Sequence, residues 1–240
     1  MPFSSEEVQD VGRIALAGQF AQGHGSYTQV DVADAYVDHI AALVHIPRRI
    51  KIVVDGGNGV AGPLGVRVFE RLGCEVVPLF IEPDGTFPNH HPDPLKEKNM
   101  RDLMRVVRET GAELGIGLDG DGDRLGVVDD RGQMVFADRY MIVMAREALQ
   151  KGPAPIVFDV KCSKVLGDAI TAMGGTPVMW KTGYTNQSAK MRELGAPVAG
   201  ELSGHVFNNR PGHSFDDGTF AGACLICLLY TSDAADDTPC

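Results

Sequence analysis

Asp119, Asp121 and Asp123 alternate with Gly120 and Gly122 in the run Asp119-Gly120-Asp121-Gly122-Asp123-Arg124, which crowds three carboxylates into five residues. Unneutralised, they repel one another. Glycine at both intervening positions lets the backbone curl until alternate side chains converge, and hard carboxylate oxygens then suit Mg2+ or Ca2+. A solvated acidic turn would need neither glycine. Arg124 has two readings: a salt-bridge partner for the acids, or a guanidinium placed to grip a phosphate being transferred. An EF-hand also begins with three alternating acids, but its sixth position should be Gly and is Arg124, and its twelfth should be Glu and is Asp130. A phosphatase loop with an aspartate nucleophile matches through Gly122 and then meets Asp123, which leaves it a weaker alternative.

A second glycine-rich stretch competes for attention. Gly57-Asn58-Gly59-Val60-Ala61-Gly62 spells G-x-G-x-x-G between a strand and a helix, with Glu82 about 20 residues beyond, as a dinucleotide site would have. That reading makes the protein an NAD-dependent oxidoreductase and leaves the three aspartates unexplained. The plainer account is a tight turn with close helix packing. Further on, Glu201-x-Ser203 places an acceptor and a hydroxyl on one side of an extended, glycine-bounded segment, an arrangement that suits a diol.

These residues need elements to hold them. Glu6 and Glu7 after Ser4 and Ser5 mark a helix start, with Val8, Val11 and Ala15 as its stripe and Gly23 and Gly25 as its break. Asp31 caps a second helix that Pro47 ends. Strand 50–54, helix 63–72 and strand 74–80 form a βαβ unit. The stretch 82–94 is a long proline-rich loop of the kind that is functional or disordered. A helix over 95–110 follows, and then strands 114–118 and 125–128 flank the acidic run. After a helix over 138–149, Lys151-Gly152-Pro153 breaks the chain. A second cycle then runs strand 155–160, helix 163–173, strand 176–180, helix 186–194, strand 196–199 and helix 216–228. Such alternation predicts α/β architecture: two consecutive three-layer domains with mixed, mostly parallel sheets.

Composition excludes several classes. With 44% hydrophobic and 22% charged residues the 240-residue chain is of globular type. A net charge of −10 disfavours nucleic acid and anionic membrane surfaces. There is no run of 18 apolar residues and no signal-peptide pattern at Met1 to Gln9. Five cysteines without framework spacing point to a reducing, cytoplasmic setting, and Cys224-x-x-Cys227 lies in an apolar run that favours burial in a helix over metal binding.

The run Asp119 to Arg124 resembles the magnesium loop of the α-D-phosphohexomutases, and further segments follow in order: Phe87 to Pro94, Phe158 to Ser163, Trp180 to Gly183, Gly200 to His205 and Phe215 to Gly218 resemble the bacterial phosphomannomutase/phosphoglucomutase branch. The likeness covers about Asp31 to Leu225. It implies a remnant of domain 1 over 1–30, domain 2 over 31–150, domain 3 over 151–227 and a foreign tail over 228–240. It also implies phosphate exchange between C1 and C6 of mannose or glucose through a hexose 1,6-bisphosphate. By that resemblance Asp119, Asp121 and Asp123 hold Mg2+, Arg124 supports phosphoryl transfer and Lys161 lies near the reacting oxygen. Glu201, Ser203, His205, Gly183 and Tyr184 would meet the sugar, and Arg139 would point into the cleft or pair with Asp138. Hexose phosphates are the expected partners, and a non-catalytic Mg/sugar-phosphate-binding module is an alternative.

Two departures stand out. Tyr184 occupies a place where the branch has histidine, and tyrosine is a poor proton shuttle near neutral pH. The phosphoserine segment typical of the family, T-A-S-H-N-P, does not occur in these residues, so the chain is expected to be inactive alone.

Overall fold

The computed structural model describes residues 5–231 in two units, divided after Val32. In the first, α1 (Ser5–Leu16) has Glu6 and Glu7 in its first turn and Arg13 in its last, signs that complement the helix dipole. It closes at Leu16, ahead of the expected break at Gly23, because Gly18 turns left-handed (φ 64) and its N–H meets the Ala15 carbonyl at 3.2 Å.

The second unit starts with α2 (Ala33–Leu43), β1 (Lys51–Asp55), α3 (Gly62–Arg71), β2 (Glu75–Leu79), α4 (Glu97–Thr110), β3 (Leu114–Leu118), β4 (Leu125–Asp129), β5 (Met134–Val135) and α5 (Ala137–Gln150). It continues with β6 (Pro155–Asp159), α6 (Lys164–Ala172), β7 (Thr176–Trp180), α7 (Tyr184–Leu194), β8 (Val198–Gly200), β9 (Val206–Asn208) and α8 (Gly218–Thr231). The first sheet has the order β2-β1-β3-β4-β5 and the second β7-β6-β8-β9. Each has a central strand between two parallel neighbours and then an antiparallel hairpin. The mixed α/β sheets are therefore as the alternation predicts. Ile52, Val53 and Val54 are fully buried, as a central strand covered on both faces requires. Ser163 caps α6 by accepting the Val165 N–H at its Oγ (3.2 Å).

Two short strands, β5 and β9, escape the sequence pattern because two or three residues are too few to show a period. Leu228, the first residue of the expected foreign tail, is buried in α8, whose last turn runs to Thr231; residues 232–240 of that tail lie outside the described residues. Cys224 and Cys227 are both buried in this helix.

The two sheets share one core. α5 packs on α6, α8, β8 and β4, while α8 packs on α5, α3, β3, β4 and β9. Ile52 and Ile116 of the first sheet, Ile156 and Phe158 of the second, and Met141, Met144, Phe220 and Leu225 of the two helices belong to a single buried cluster. α8 is apolar on every face because it is buried throughout from Gly218 to Leu228. Among the described residues no helix is long and apolar enough to cross a membrane.

Candidate functional site

Leu118 pairs with Leu125 across the β3–β4 hairpin, so residues 119–124 form its loop. Asp119, only 1% exposed, organises it. Its Oδ1 accepts the N–H groups of Gly122 (3.1 Å) and Arg124 (3.0 Å), and its Oδ2 accepts Arg124 Nε at 2.6 Å. Arg124 also reaches Asp93 Oδ1 with Nη1 at 3.5 Å. Its guanidinium is thus clamped between two carboxylates, the salt-bridge reading in geometric form, with its remaining N–H groups available to a ligand.

The G-x-G-x-x-G turn packs directly against this loop. Val60 N–H donates to the Gly120 carbonyl at 3.0 Å. A Cβ on Gly59 would stand 2.7 Å from that oxygen, and one on Gly122 (φ 80) would stand 2.4 Å from the Ala61 Cβ. Gly57 (φ 52) and Gly62 are crowded in turn by the Pro92 Cβ (2.9 Å) and the Ile81 carbonyl (2.8 Å), so a tight turn and close packing account for the glycines, the plainer of the two readings.

A divalent cation fits the acids. One carboxylate oxygen from each of Asp119, Asp121 and Asp123 lies within 4.8 Å of the others. Asp123 Oδ1 is buried with no hydrogen-bond partner. Burial, joined by the charges of Asp119, Asp121 and Asp216 and opposed by His205, pushes Asp123 up to about 7. A carboxyl group so reluctant to ionise among its neighbours is one that a hard cation would relieve.

The second sheet delivers its loops to the same place. Leu125 N–H donates to the Gly204 carbonyl at 3.0 Å and Gly218 N–H to the Gly122 carbonyl at 2.9 Å. His205 Nδ1 is thereby set 2.9 Å from Asp216 Oδ2 and 3.6 Å from Asp123 Oδ1. Burial works against the imidazolium, but Asp216, Asp123 and Glu201 outweigh it and raise His205 above its usual value. The Tyr184 ring stacks on His205 at 5.9 Å between centroids. Glu201, 3% exposed, accepts the Gly183 N–H at Oε1 and the Ser203 hydroxyl at Oε2 (3.3 Å). Beside the acids opens a cavity of about 280 Å³ lined by Tyr36, Ala61, Leu64, Asp121, Asp123 and Phe215.

Residues 34–132 match the family model for phosphoglucomutase/phosphomannomutase, alpha/beta/alpha domain II, and residues 136–236 match that for domain III. The chain belongs to this family. It is 44% identical over 232 residues to a phosphomannomutase/phosphoglucomutase of Pseudomonas syringae pv. tomato, covering 96% of this chain and 50% of that protein. To a phosphoglucomutase of Neisseria gonorrhoeae it is 42% identical over 233 residues, covering 96% and 51%. A crystal structure of a phosphoglucomutase/phosphomannomutase family protein from Burkholderia thailandensis superposes with a TM-score of 0.91 at 47% identity, over 98% of this chain and 51% of that one. The chain spans about half the length of the curated relatives it matches. The domain III match reaches residue 236, so the family likeness does not stop near Leu225.

Of the phosphohexomutase residues expected from sequence, Asp119, Asp121, Asp123, Arg124, Gly183, Tyr184, Glu201, Ser203 and His205 are linked by contacts into one cluster, buried at Asp119 and Glu201 and exposed at Asp121 and Tyr184. Lys161, just past β6, and Arg139, in the first turn of α5, are exposed and make no side-chain hydrogen bond or ion pair among the described residues. Asp138 is engaged elsewhere, accepting the Ser163 N–H at 2.9 Å. Sequence reasoning missed Asp93, Asp216 and the pair Asp55–His90. Asp93 and Asp216 both lie within family-like segments, Phe87 to Pro94 and Phe215 to Gly218, but nothing local singles either out within them.

His90 faces acceptors on both sides: Nε2 is 3.0 Å from Asp55 Oδ2 and Nδ1 is 3.1 Å from the His91 carbonyl. An imidazolium satisfies both acceptors, where a neutral ring would donate to only one. The hydrogen bond to buried Asp55 raises His90 above its ordinary 6.5 against the cost of burial. Its stabilisation is complete below 6.5 and is lost as pH rises through the folded value. Thermal unfolding is expected to show a drop in Tm as pH rises above 6.5 that His90→Gln reduces. An equal pH slope in the variant would remove His90 from the account.

Proposed function

We propose that this chain forms the metal-binding and sugar-reading part of a phosphohexomutase that exchanges phosphate between C1 and C6 of glucose or mannose through a hexose 1,6-bisphosphate. The observation that carries the reading is the junction of the acidic loop with the 201–205 loop, sealed by the Leu125–Gly204 hydrogen bond. It sets the acids beside residues suited to sugar hydroxyls.

Asp119, Asp121 and Asp123 would hold Mg2+, which when bound supplies charge neutralisation for a phosphoryl group in transfer. Arg124, kept in place by Asp119 and Asp93, offers its free N–H groups to phosphate oxygens. Glu201 keeps lone pairs for a sugar hydroxyl beyond those used by Gly183 and Ser203. His205, held by Asp216, would donate or withdraw a proton at a hydroxyl of the sugar, and Lys161 would neutralise charge on the reacting oxygen. Tyr184 would contribute a donor and a ring edge rather than a proton shuttle. Residues 31–150 and 151–227 would act as the family's domains 2 and 3, in the cytoplasm.

With no phosphoserine segment among its residues, this chain is expected to bind and not to turn over. Glucose 1-phosphate, glucose 1,6-bisphosphate and Mg2+ should yield no glucose 6-phosphate above a metal-free control, while calorimetry detects Mg2+-dependent binding of glucose 1-phosphate. Turnover would overturn the incompleteness; no binding would sink the proposal. Binding that persists without turnover after a phosphoserine-bearing partner piece is supplied would favour the non-catalytic binding module.

A further inference from the structure

The last residue of the central strand is an aspartate in both sheets, Asp55 closing β1 and Asp159 closing β6. Both are buried, 2% and 0% exposed, and their hydrogen bonds run to corresponding places. Asp55 accepts the Gly57 N–H (2.9 Å) in the turn that leaves β1 and meets His90 Nε2 (3.0 Å) in the loop that leaves β2. Asp159 accepts the Cys162 thiol (3.2 Å) in the turn that leaves β6 and the Thr182 hydroxyl (3.0 Å) in the loop that leaves β7. It also accepts the Leu202 N–H (3.1 Å) in the loop that leaves β8. Ligands of open α/β sheets bind beyond these carboxyl ends of the strands.

Withdrawing a carboxylate from water is costly even when it is hydrogen-bonded, and an apolar residue would hold the sheet at least as well. What an apolar residue would lack is a common acceptor for three loops. Thr182 precedes Gly183 and Tyr184, and Leu202 lies between Glu201 and Ser203, so two of the three bonds fall inside the segments that carry the sugar-facing residues. Gly183 and Glu201 are themselves joined by a hydrogen bond.

We infer that Asp159 is a positioning residue that fixes the Thr182–Tyr184 and Glu201–His205 loops relative to each other, so that Tyr184, Glu201 and Ser203 present one surface to the sugar. The identity of the ligand rests on the proposed function; the coupling of the loops does not. Asp55 plays the matching part for the 82–94 loop over the acidic turn.

The test combines residue-resolved amide hydrogen exchange of the chain with calorimetric titration of glucose 1-phosphate in Mg2+. Asp159→Ala should speed exchange by about tenfold or more at Leu202 and across 181–184, leave the β1–β4 amides unchanged, and weaken glucose 1-phosphate about tenfold. Asp159→Asn should restore both, since its oxygen still accepts from Leu202 and its amide can donate to the Thr182 hydroxyl. Should Asp159→Ala not fold, Thr182→Val is expected to loosen 181–184 alone, with Thr182→Ser recovering it. Unaltered exchange in these segments, or acceleration spread evenly over both sheets, would overturn the inference whatever the titration shows. A wild-type chain that fails to bind glucose 1-phosphate would instead count against the proposed function, and the exchange data would still decide the loops.

Discussion

Asp121→Asn is expected to weaken Mg2+ binding by more than the roughly 10- to 100-fold that loss of an outer-sphere partner costs a metal site, while leaving Tm unchanged or slightly raised. Asp121 is exposed and makes no hydrogen bond within the described residues, and its charge is repelled by Asp119 and Asp123. Removing it relieves that repulsion and stays within the roughly 0.5 kcal/mol typical of surface substitutions. Asp119→Asn should behave differently. Its carboxylate is buried and holds the Arg124 side chain and two loop amides. Breaking a buried ion pair costs about 3 kcal/mol or more, at the low end here because Arg124 is 26% exposed. A fall in Tm of roughly 6 to 12 °C follows for a domain of this size, together with loss of Mg2+ binding. Calorimetric titration and thermal melts of the two variants give the comparison. If both titrate Mg2+ like the parent, the acidic loop is not the metal site.

Gly122→Ala should be the most damaging small substitution in the site. The φ of 80° costs a side-chain-bearing residue about 1 to 2 kcal/mol, and the new Cβ would stand 2.4 Å from that of Ala61, an overlap that typically adds about 1 to 3 kcal/mol. Urea unfolding of Gly122→Ala, Ala61→Gly and the double variant separates the two. The double variant should recover the steric part and keep the backbone part, an interaction measurable as a double-mutant cycle. Simple additivity would mean that the loops separate freely and that their contact is not what shapes the acidic loop.

Much of this site was readable because it is local. Three aspartates spaced by glycines state their chemistry within five residues, and their place between two apolar stretches already made them a hairpin loop. Glu201 and Ser203 are legible for the same reason. Asp93 is not: it lies 31 residues from Arg124, in a loop whose path is set by contacts rather than by periodicity. Asp159 lies in a strand and in the family-like segment Phe158 to Ser163, but neither gives it a role, since a buried acceptor and an exposed one look alike in sequence. The G-x-G-x-x-G turn shows the converse, a pattern that two chemistries share and whose glycines are explained by the neighbours Pro92, Gly120 and Ile81 that only the folded chain brings to them.

By itself the sequence determined the alternation of strands and helices, the crowding of three carboxylates into residues 119–123 and the pairing of an acceptor with a hydroxyl at Glu201 and Ser203, because each follows from side-chain type at short spacing. Only the tertiary structure decided that α5 and α8 join both sheets into one core, and that this packing brings His205 and Asp216 onto Asp123. The physical reason is that hydrogen bonds such as Leu125–Gly204 and Gly218–Gly122 form between segments far apart in the chain, and burial of the two helices, not any local preference, holds those segments together.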